Sequence, residues 1–332
     1  MSESNEASTC LIVGAGISGL LAAEALQREG WEVTVLDKGR GVGGRMATRR
    51  VGGGTFDHGT QFFTVRGDRF SDLVQGWLEA GAAAEWSRGF ADAEGTPNED
   101  GHPRYRGSRG MTSIPKYLAG DLDVRTGERA VSADAGAEGW EVTCESGLRL
   151  QASVLLLAMP VPQALELATS GNYGLPAGAR QQLEAISYDP CLALMVLLDG
   201  PVDVPGPGGM QIKDEPLDWI GDNRRKGISD VPAITIHAGP EWSRNHFDDE
   251  EADIARQLIS FAGDQLGTDL ASLVLETSLA RWRYSWVTEA HPEPFLVASG
   301  DPALLFCGDA FGQPKVEGAA LSGLAAADYL LG

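Results

Sequence analysis

One glycine-rich turn between an apolar run and a helical pattern constrains the fold of this chain more than any other feature. Residues 10–14 (CLIVG) predict a buried parallel strand, residues 17–29 a helix, and residues 31–36 (WEVTVL) a second strand. The turn itself, GAGISG at residues 14–19, matches the G-x-G-x-x-G pattern in the strand–helix context that gives the pattern meaning. Such glycines let the backbone approach a pyrophosphate, which the positive end of the helix attracts. The sequence therefore predicts a βαβ unit that binds a dinucleotide.

Asp37 stands at the end of the second predicted strand. A carboxylate at this position accepts hydrogen bonds from ribose hydroxyls. An acidic residue there favours an unphosphorylated ribose, and therefore FAD or NAD over NADP.

A second glycine–arginine segment follows at once, KGRGVGGRM at residues 38–46. Its small residues let the backbone come close to a ligand, and the Arg45 guanidinium can contact a pyrophosphate. Simple NAD dehydrogenases do not need such a loop, so the segment favours FAD. Because glycine remains dense up to residue 59, we expect residues 39–59 to form a functional loop without regular structure. Arg49 and Arg50 are interpreted as solvated surface charges.

The third element lies near the C-terminus. Residues 303–308 (ALLFCG) predict another buried strand, and a helix of small residues follows near Gly318. Gly308 gives backbone clearance, and Asp309 can hydrogen-bond a ribityl hydroxyl. Backbone N–H groups at Gly318 and Ala319 can face the flavin edge where negative charge collects on reduction. Three elements in this order predict one non-covalently bound FAD.

Charge and cysteine spacing exclude several classes of partner and site. The formal net charge of −21 repels nucleic-acid phosphates and anionic membrane surfaces, so neither is an expected partner. The four cysteines form no CxxC pair and no zinc-like spacing, which predicts buried free thiols, no metal site and no redox disulfide. Without an apolar run of about 18 residues or an apolar N-terminus, we expect no membrane helix, no signal peptide and a cytoplasmic location. Oligomeric state stays open.

Longer motifs carry a resemblance to a known family. VGAGISGL, DKGRGVGGRM and CGDAFG resemble the flavin amine-oxidase-like FAD oxidoreductases. Within that group the chain is similar to the bacterial renalases through FDHGTQFFTVRGDRF (56–70), AEWSRG (84–89), SRGMTSIP (108–115), PLDWIGDNRRKG (216–227), HAGPEWSRNH (237–246), RWRYSW (281–286) and KVEGAALSG (315–323). The resemblance covers nearly the whole chain. It implies an oxidase of misreduced nicotinamide dinucleotides, the 2- and 6-dihydro isomers of NAD(P)H, that returns NAD(P)⁺ and passes electrons to O₂ as hydrogen peroxide.

The resemblance also implies a fold. We expect an α/β protein in which an FAD-binding Rossmann-type domain, p-hydroxybenzoate hydroxylase or amine-oxidase-like, is interleaved with a substrate domain of mixed β-sheet plus helices. Residues 123–158 are interpreted as a meander that returns into the parallel sheet, and residues 91–101 as a polar loop. The predicted FAD-binding domain comprises residues 1–60, 119–165 and 300–332. The predicted substrate domain comprises residues 61–118 and 166–299.

The resemblance also implies which residues form the site, by their positions in the shared motifs. The resemblance implies FAD contacts at Ser18, Asp37, Lys38, Arg45, Gln61, Phe62, Val131, Asp309, Val316 and Ala319. The glycine motifs and their neighbours complete the predicted cofactor set with Gly14, Gly16, Gly19, Gly44, Met46 and Gly318. The candidate substrate residues are Tyr105, Cys191, His237, Trp282 and Tyr284. The stretches 91–101 and 312–315 depart from the family pattern, which leaves the edge of the substrate site open.

The implied chemistry is hydride transfer from a dihydropyridine carbon to flavin N5, which needs no protein acid or base because an aromatic pyridinium forms directly. We therefore assign no catalytic side chain and interpret His237 as a packing or hydrogen-bonding residue. Trp242, Trp282, Tyr284 and Trp286 suit either an aromatic slot for a nicotinamide ring or core packing. No second G-x-G-x-x-G in strand–helix context follows, so any nicotinamide is expected to bind as substrate.

Two alternatives stay open at this stage. One is an amine oxidase or desaturase on the same fold. The other is a flavin-binding protein without catalysis, because one fold hosts many functions.

Overall fold

The computed structural model describes residues 8–332 and divides the chain into two compact units. The first unit extends to Gly44 and includes Pro115–Ser187 and Val287–Gly332. The second unit consists of Arg45–Ile114 and Tyr188–Trp286. The chain therefore passes back and forth between the two units.

A six-stranded sheet forms the centre of the first unit, in the order β17-β18-β11-β1-β2-β7. All neighbours run parallel except β17, which pairs antiparallel with β18. The apolar runs CLIV, VLLL and ALLF supply its central strands, because strands buried on both faces are apolar throughout. The bounds are β1 Thr9–Val13, β2 Glu32–Asp37, β7 Asp123–Thr126, β11 Val154–Leu157, β17 Leu296–Gly300 and β18 Ala303–Phe306.

Two helices that flank this sheet pack closely on one another. They are α1, Ile17–Arg28, and α8, Lys315–Leu331. A side chain at Gly323 of α8 would lie 2.1 Å from the backbone oxygen of Ser18, so only glycine permits this approach. Three further helices and a separate antiparallel sheet in the order β10-β9-β8 complete the first unit. They are α3 Ser113–Leu118, whose first two residues belong to the second unit, α4 Val161–Ala168, α5 Ala177–Glu184, β8 Ala130–Gly136, β9 Gly139–Cys144 and β10 Arg149–Ala152.

The second unit contains a seven-stranded sheet in the order β16-β12-β15-β14-β13-β5-β6 and a two-stranded hairpin, β3-β4. The strands are β3 Thr48–Val51, β4 Gly54–Asp57, β5 Ala83–Ala91, β6 Pro97–Gly107, β12 Ser187–Leu198, β13 Gly209–Asp214, β14 Leu217–Asp222, β15 Ala233–Ala238 and β16 Val274–Glu289. Its helices are α2 Asp68–Glu79, α6 Pro240–Asn245 and α7 Glu251–Leu266.

Strand β12 separates two cores, because successive side chains of a strand point to opposite faces. Leu192, Leu194 and Val196 pack with Ile254 and Leu258 of α7. The other face, formed by Ala193, Met195 and Leu197, packs with Phe56 of β4 and Ala280 of β16. The first face is therefore a core covered by a helix, and the second face receives the β3–β4 hairpin.

Two predicted loops are wrong in part. Residues 39–59 do not form one irregular loop: a single helical turn, Gly44–Met46, leads into the β3–β4 hairpin. Gly52 and Gly53 have φ of +51° and +89°, which makes them the two-residue turn that the glycine density supplies. Likewise residues 91–101 belong largely to the β5–β6 hairpin, which leaves only a short turn.

The unit boundaries also differ from the predicted domain boundaries. Residues 45–60 lie in the second unit because Phe56 is buried against Ala193. Residues 166–187 lie in the first unit, where the Ala135 N–H donates to Asn172 Oδ1 at 2.8 Å. Of the predicted meander, β7 and β11 join the parallel sheet, while β8–β10 form a sheet of their own.

Other expectations concern thiols and charges. Cys10, Cys144, Cys191 and Cys307 are all free and buried, as predicted. Arg49 is not the solvated charge that we expected, since it is half-buried and Nη1 donates to Ser278 Oγ at 3.2 Å. Within residues 8–332, no helix combines the length and the apolar character that a membrane span requires.

Candidate active site

The turn of residues 14–19, called here the dinucleotide turn, is shaped by glycines that have no room for a side chain. Gly14 has φ +116°, and a Cβ there would lie 2.7 Å from the backbone oxygen of Ala158. A Cβ on Gly19 would lie 2.1 Å from the oxygen of Gly14. Gly16 differs, because a Cβ there would meet no protein atom within 4 Å. Its backbone faces open space at the start of α1, whose first turn has no side-chain cap.

Asp37 connects the end of β2 to the dinucleotide turn. Its Oδ2 accepts from the Ala15 N–H at 2.8 Å, and its Oδ1 accepts from the Gly39 N–H at 2.7 Å. An ionised carboxylate has about four acceptor sites, so both oxygens keep capacity for a ligand hydroxyl. Lys38 is exposed, and its Nζ donates to Gln163 Oε1 at 3.1 Å.

The glycine–arginine loop returns to the same turn. The Gly43 N–H donates to the Ala15 oxygen at 2.8 Å. Gly44 has φ +53°, and a Cβ there would lie 3.9 Å from the Gly16 Cα. The structure therefore brings Gly44 beside the open backbone of Gly16.

The C-terminal element meets the turn through a serine and a thiol. Ser18 is buried, and its Oγ donates to Cys307 Sγ at 3.2 Å. The N–H of the following Gly308 donates to Ser322 Oγ of α8 at 2.8 Å. At Gly318 a Cβ would lie 1.5 Å from the oxygen of Gln313, so this turn into α8 requires glycine.

Four other predicted cofactor residues of the first unit differ in exposure. Val316 and Ala319 are buried in the first turns of α8, and Asp309 is half-buried after β18. Val131 is 43% exposed on β8, in the separate antiparallel sheet. The structure thus brings together the dinucleotide turn, Gly44, Asp37 and Cys307, while Val131 lies on another sheet.

In the second unit, Arg45 is fixed against β16. Its Nη1 donates to the backbone oxygens of Tyr284 and Ser285, each at 3.2 Å. The backbone oxygen of Arg45 accepts a hydrogen bond from the Thr60 N–H at 2.8 Å. Met46, the next residue, is 3% exposed.

A buried ion pair lies at the centre of the second unit. Lys226 Nζ donates to Asp57 Oδ2 and to the Gln61 backbone oxygen, both at 2.6 Å. The side chains are 1% and 0% exposed. Asp57 Oδ1 also accepts from Thr48 Oγ1 at 2.6 Å and from the Met111 N–H at 2.8 Å. Burial lowers the pKa of Lys226, and the Asp57 charge opposes that shift.

Gln61 connects this pair to His237 of β15. The Gln61 Nε2 donates to the backbone oxygen of Asp57 at 2.6 Å and lies 3.3 Å from His237 Nε2. Burial, with the nearby charges of His58 and Lys226, lowers the pKa of His237 to about 3. His237 is therefore neutral at pH 7, and its Nε2 is in polar contact with Gln61 Nε2. Asp57, Gln61, Lys226 and His237 are together called the buried polar cluster.

Aromatic side chains surround the cluster. Trp282 Nε1 donates to the His58 oxygen at 2.7 Å, and the two rings meet edge to face at 5.2 Å. Burial lowers the pKa of His58 to about 4. Phe62 packs against Phe90 and Trp219, with centroids 4.8 Å and 5.7 Å apart.

The other predicted substrate residues vary in placement. Cys191 is 3% exposed, and burial raises the pKa of its thiol, which keeps it protonated. Tyr105 is linked to the segment after Gln61 through Phe63, on which its ring stacks at 5.6 Å. Tyr284 packs edge to face on Tyr188.

The four aromatics proposed as one slot do not form one cluster. Trp242 packs in the core covered by α7 and stacks on His246 at 4.3 Å, so core packing is its role. Trp282 packs instead with Phe56, Ala193 and Met195 on the opposite face of β12. Sequence reasoning missed Asp57 and Lys226 altogether, although each lies within a motif that carries the family resemblance.

Two family models match the sequence of this chain. Residues 12–77 match the NAD(P)-binding Rossmann-like domain, and residues 68–331 match the family described as flavin containing amine oxidoreductase. Mouse (Mus musculus) renalase is 27% identical over 320 residues, which cover 89% of this chain and 92% of that protein. A 4,4'-diapophytoene desaturase of Staphylococcus haemolyticus (strain JCSC1435) is 40% identical over 73 residues, only 19% of this chain and 15% of that protein.

Solved structures share the fold at low sequence identity. A variant of putrescine oxidase superposes with a TM-score of 0.75 at 16% identity, covering 98% of this chain and 99% of that one. A protein described as a protoporphyrinogen oxidase from Exiguobacterium sp. 255-15 gives 0.74 at 14% identity, with 99% of each chain covered. The family match spans most of the sequence, and the Rossmann-like match covers the dinucleotide turn. This chain therefore belongs to the flavin containing amine oxidoreductases and is an FAD-dependent, renalase-like oxidoreductase.

Proposed function

We propose that the protein oxidises misreduced dihydronicotinamide dinucleotides, the 2- and 6-dihydro isomers of NAD(P)H, to NAD(P)⁺. The substrate loses a hydride, and its two electrons pass with protons to O₂, which becomes hydrogen peroxide. The likeness to mouse renalase along 89% of the chain supports a renalase-type reaction over one shared only through the cofactor. The desaturase likeness covers too little of the chain to support a substrate.

The dinucleotide turn and its surroundings fit FAD. In the first unit the backbone at Gly16 is open, α1 begins without a side-chain cap, and Asp37 keeps acceptor capacity, as a pyrophosphate and a ribose require. We assign cofactor binding to the set Gly14, Gly16, Ser18, Gly19, Asp37, Lys38, Gly44, Arg45, Met46, Gln61, Phe62, Val131, Asp309, Val316, Gly318 and Ala319. When bound, FAD supplies a ring that accepts two electrons at N5 and returns them to O₂.

The likeness to mouse renalase carries the proposal, and the neutral state of the two buried histidines is compatible with it. His58 and His237 have pKa values lowered to about 4 and about 3, so neither is a proton donor of use near pH 7. Cys191 is held protonated by burial. A dihydropyridine that becomes an aromatic pyridinium by losing a hydride needs none of these groups to ionise. What it needs is a fixed orientation.

The chain's own residues supply that orientation. Trp282 is held by its hydrogen bond to the His58 oxygen, and Gln61 is held by the Asp57 and Gly59 oxygens. Lys226 in turn fixes the Gln61 backbone. We propose that Trp282, Tyr284 and His237 form the wall against which the nicotinamide ring lies, with Tyr105 and Cys191 as further contacts.

The test is anaerobic stopped-flow mixing of the purified FAD-loaded protein with 2-dihydro-, 6-dihydro- and ordinary 4-dihydro-NAD(P). We expect rapid bleaching of the visible flavin band with the 2- or 6-isomer and slow or no bleaching with the 4-isomer. In air the same isomers yield one peroxide per NAD(P)⁺. Failure of every dihydronicotinamide to bleach the flavin would contradict the proposal and leave the FAD assignment standing.

Amine oxidation is the second candidate, because the matched family is named for amines. An amine must be neutral to lose a hydride, so its oxidation rate rises with pH toward the pKa of the amine. A panel of primary, secondary and diamine substrates in the same instrument separates the two cases. Bleaching by an amine alone, with a rate that climbs with pH, would favour the amine reaction.

A further inference from the structure

A cavity of about 340 Å³ lies in the second unit, at the start of β12 and the end of β16. Ligand pockets range from about 300 to 1,000 Å³, so this volume suits part of a small molecule. Three aromatic and three charged residues form most of its lining: Tyr188, Phe247, Tyr284, Arg244, Asp248 and Arg283. The chain as a whole carries 47 acidic and 26 basic residues, so two arginines at one cavity are a local departure from its charge.

The guanidinium groups are placed to hold an anion. Arg283 lies over the Phe247 ring at 4.3 Å, which orients its planar group. Its ion pair with Asp248 is loose, with 3.6 Å between N and O and an Asp248 side chain that is 90% exposed. Arg244 pairs with Asp189. The exposed Arg283–Asp248 pair contributes only about 0–1 kcal/mol. Each guanidinium has five N–H donors, which suit a phosphate.

The aromatic part of the lining suits a flat base. Tyr188 and Tyr284 meet edge to face, with centroids 5.6 Å apart and planes at 67°, so their faces are not stacked on each other. Aromatic faces bind nucleobases without sequence preference. The cavity lining therefore combines guanidinium groups, which suit a phosphate, with aromatic rings, which suit a base.

Tyr284 connects this cavity to the proposed substrate wall. It lies two residues after Trp282 on β16, so both side chains leave the same face of the strand. Its backbone oxygen accepts from Arg45. Tyr284 is therefore common to the cavity lining and to the face of β16 that carries Trp282.

We propose that this cavity binds the adenosine-phosphate end of the dinucleotide substrate, with Arg244 and Arg283 on the phosphates and Tyr188 beside the base. The assignment rests on the proposed function. Phosphate recognition then sets the KM for the dinucleotide, whereas hydride transfer at the nicotinamide end is unaffected.

Calorimetric titration of the FAD-loaded protein with ADP-ribose tests the site without turnover. We expect binding to the parent protein and at least about tenfold weaker binding to the double variant Arg244→Gln, Arg283→Gln, because charge-assisted hydrogen bonds are lost. Arg256→Gln is the matched control, since Arg256 is exposed and paired with Asp253 on α7. No binding to the parent, or equal binding to the double variant, would overturn the proposal.

Asp248→Asn gives a change in the opposite direction, which loss of folding cannot imitate. Asp248 competes with a phosphate for Arg283, so its neutralisation should tighten ADP-ribose binding about threefold, within the worth of an exposed pair. Arg283→Lys should weaken binding although it keeps the charge, because lysine lacks the planar fork. Unchanged affinity in both variants would assign the cavity no role in phosphate binding.

Kinetics separate this proposal from the proposed function. In the double arginine variant we expect the KM for 2- or 6-dihydro-NAD to rise about tenfold with kcat unchanged, while dihydronicotinamide riboside shows no change in KM. If the parent oxidises neither compound, the proposed function fails, and the ADP-ribose titration still reports on the cavity. If oxidation proceeds with the parental KM in the variant, only the cavity assignment falls.

Discussion

The dinucleotide turn of the first unit and the buried polar cluster of the second unit are built in opposite ways. The turn occupies six consecutive residues, and its conformation requires glycine at two of them. A Cβ at Gly14 or Gly19 would lie less than 3 Å from backbone atoms. The cluster works through charged side chains that come from distant parts of the chain, with Asp57 and Lys226 separated by 169 positions. The turn is thus sensitive to added volume, and the cluster to a missing charge.

Removal of the Lys226 charge should produce the largest effect. Lys226→Met leaves Asp57 buried without its counter-ion, which costs about 3–5 kcal/mol of the free energy of unfolding. Urea denaturation of the parent and the variant measures this difference in the free energy of unfolding. Lys116→Met, at an exposed lysine of α3, is the control and should stay within about 0.5 kcal/mol.

Combination with Asp57→Asn tests the cause. The double variant has no unpaired buried charge, so it should be more stable than Lys226→Met alone. A single variant as stable as the Lys116 control would show that the pair does not hold the cluster together.

The cluster also predicts how stability depends on pH. Burial lowers the pKa of His58 to about 4 and that of His237 to about 3, against about 6.5 in the unfolded chain. Below pH 6.5 the unfolded state therefore binds protons at these two histidines that the folded state does not bind. The free energy of unfolding decreases as the pH is lowered from 6.5 to the folded-state pKa values. Between pH 6 and 5 the two histidines together should cost roughly 2–3 kcal/mol.

The histidine origin can be separated from that of other acid-titrating groups. His58→Gln should remove about half of the histidine contribution to this slope. His102→Gln, at an exposed histidine of the β5–β6 hairpin, is the matched control. Urea denaturation at pH 5, 6 and 7 measures both. Equal slopes in the parent and in His58→Gln would contradict the lowered pKa.

The turn responds to volume instead. Gly16→Ala adds a methyl group that meets no protein atom within 4 Å, so the protein should fold, but the methyl occupies the space assigned to the pyrophosphate. We expect FAD affinity to fall about tenfold, the effect of moderate overpacking, measured by flavin fluorescence. Gly178→Ala in α5 is the control, since its Cβ also meets nothing within 4 Å. Parental FAD affinity in Gly16→Ala would place the pyrophosphate elsewhere.

The contrast explains which parts could be predicted from sequence. Strands β1, β11 and β18 are short apolar runs, and the turn is a local pattern, so the parallel sheet and the dinucleotide site follow from neighbouring residues. FAD followed from three such patterns in order. Gly52 and Gly53, by contrast, suggested a loop, because glycine content alone does not tell a hairpin turn from irregular structure.

The cluster could not be predicted for a different reason. Lys226 follows Arg224 and Arg225, and those two are exposed while Lys226 is buried. Nothing in the local sequence distinguishes the three cations. Only the fold brings Asp57 within 2.6 Å of one of them. Long-range pairing of this kind requires the fold to be known first.

Two tryptophans that pack against opposite faces of β12 test the smallest expected effect, which is on the rate of flavin reduction. Trp282→Phe keeps an aromatic ring but loses the hydrogen bond to the His58 oxygen, worth about 1 kcal/mol. If that bond orients the ring against the substrate, the rate of flavin reduction should fall about fivefold. Trp242→Phe changes a ring in the core covered by α7 and should lower stability without lowering that rate. A loss of rate in both variants would mean that general packing, rather than the orientation of Trp282, controls hydride transfer. The two faces of the sheet would then not differ in their contribution to the reaction.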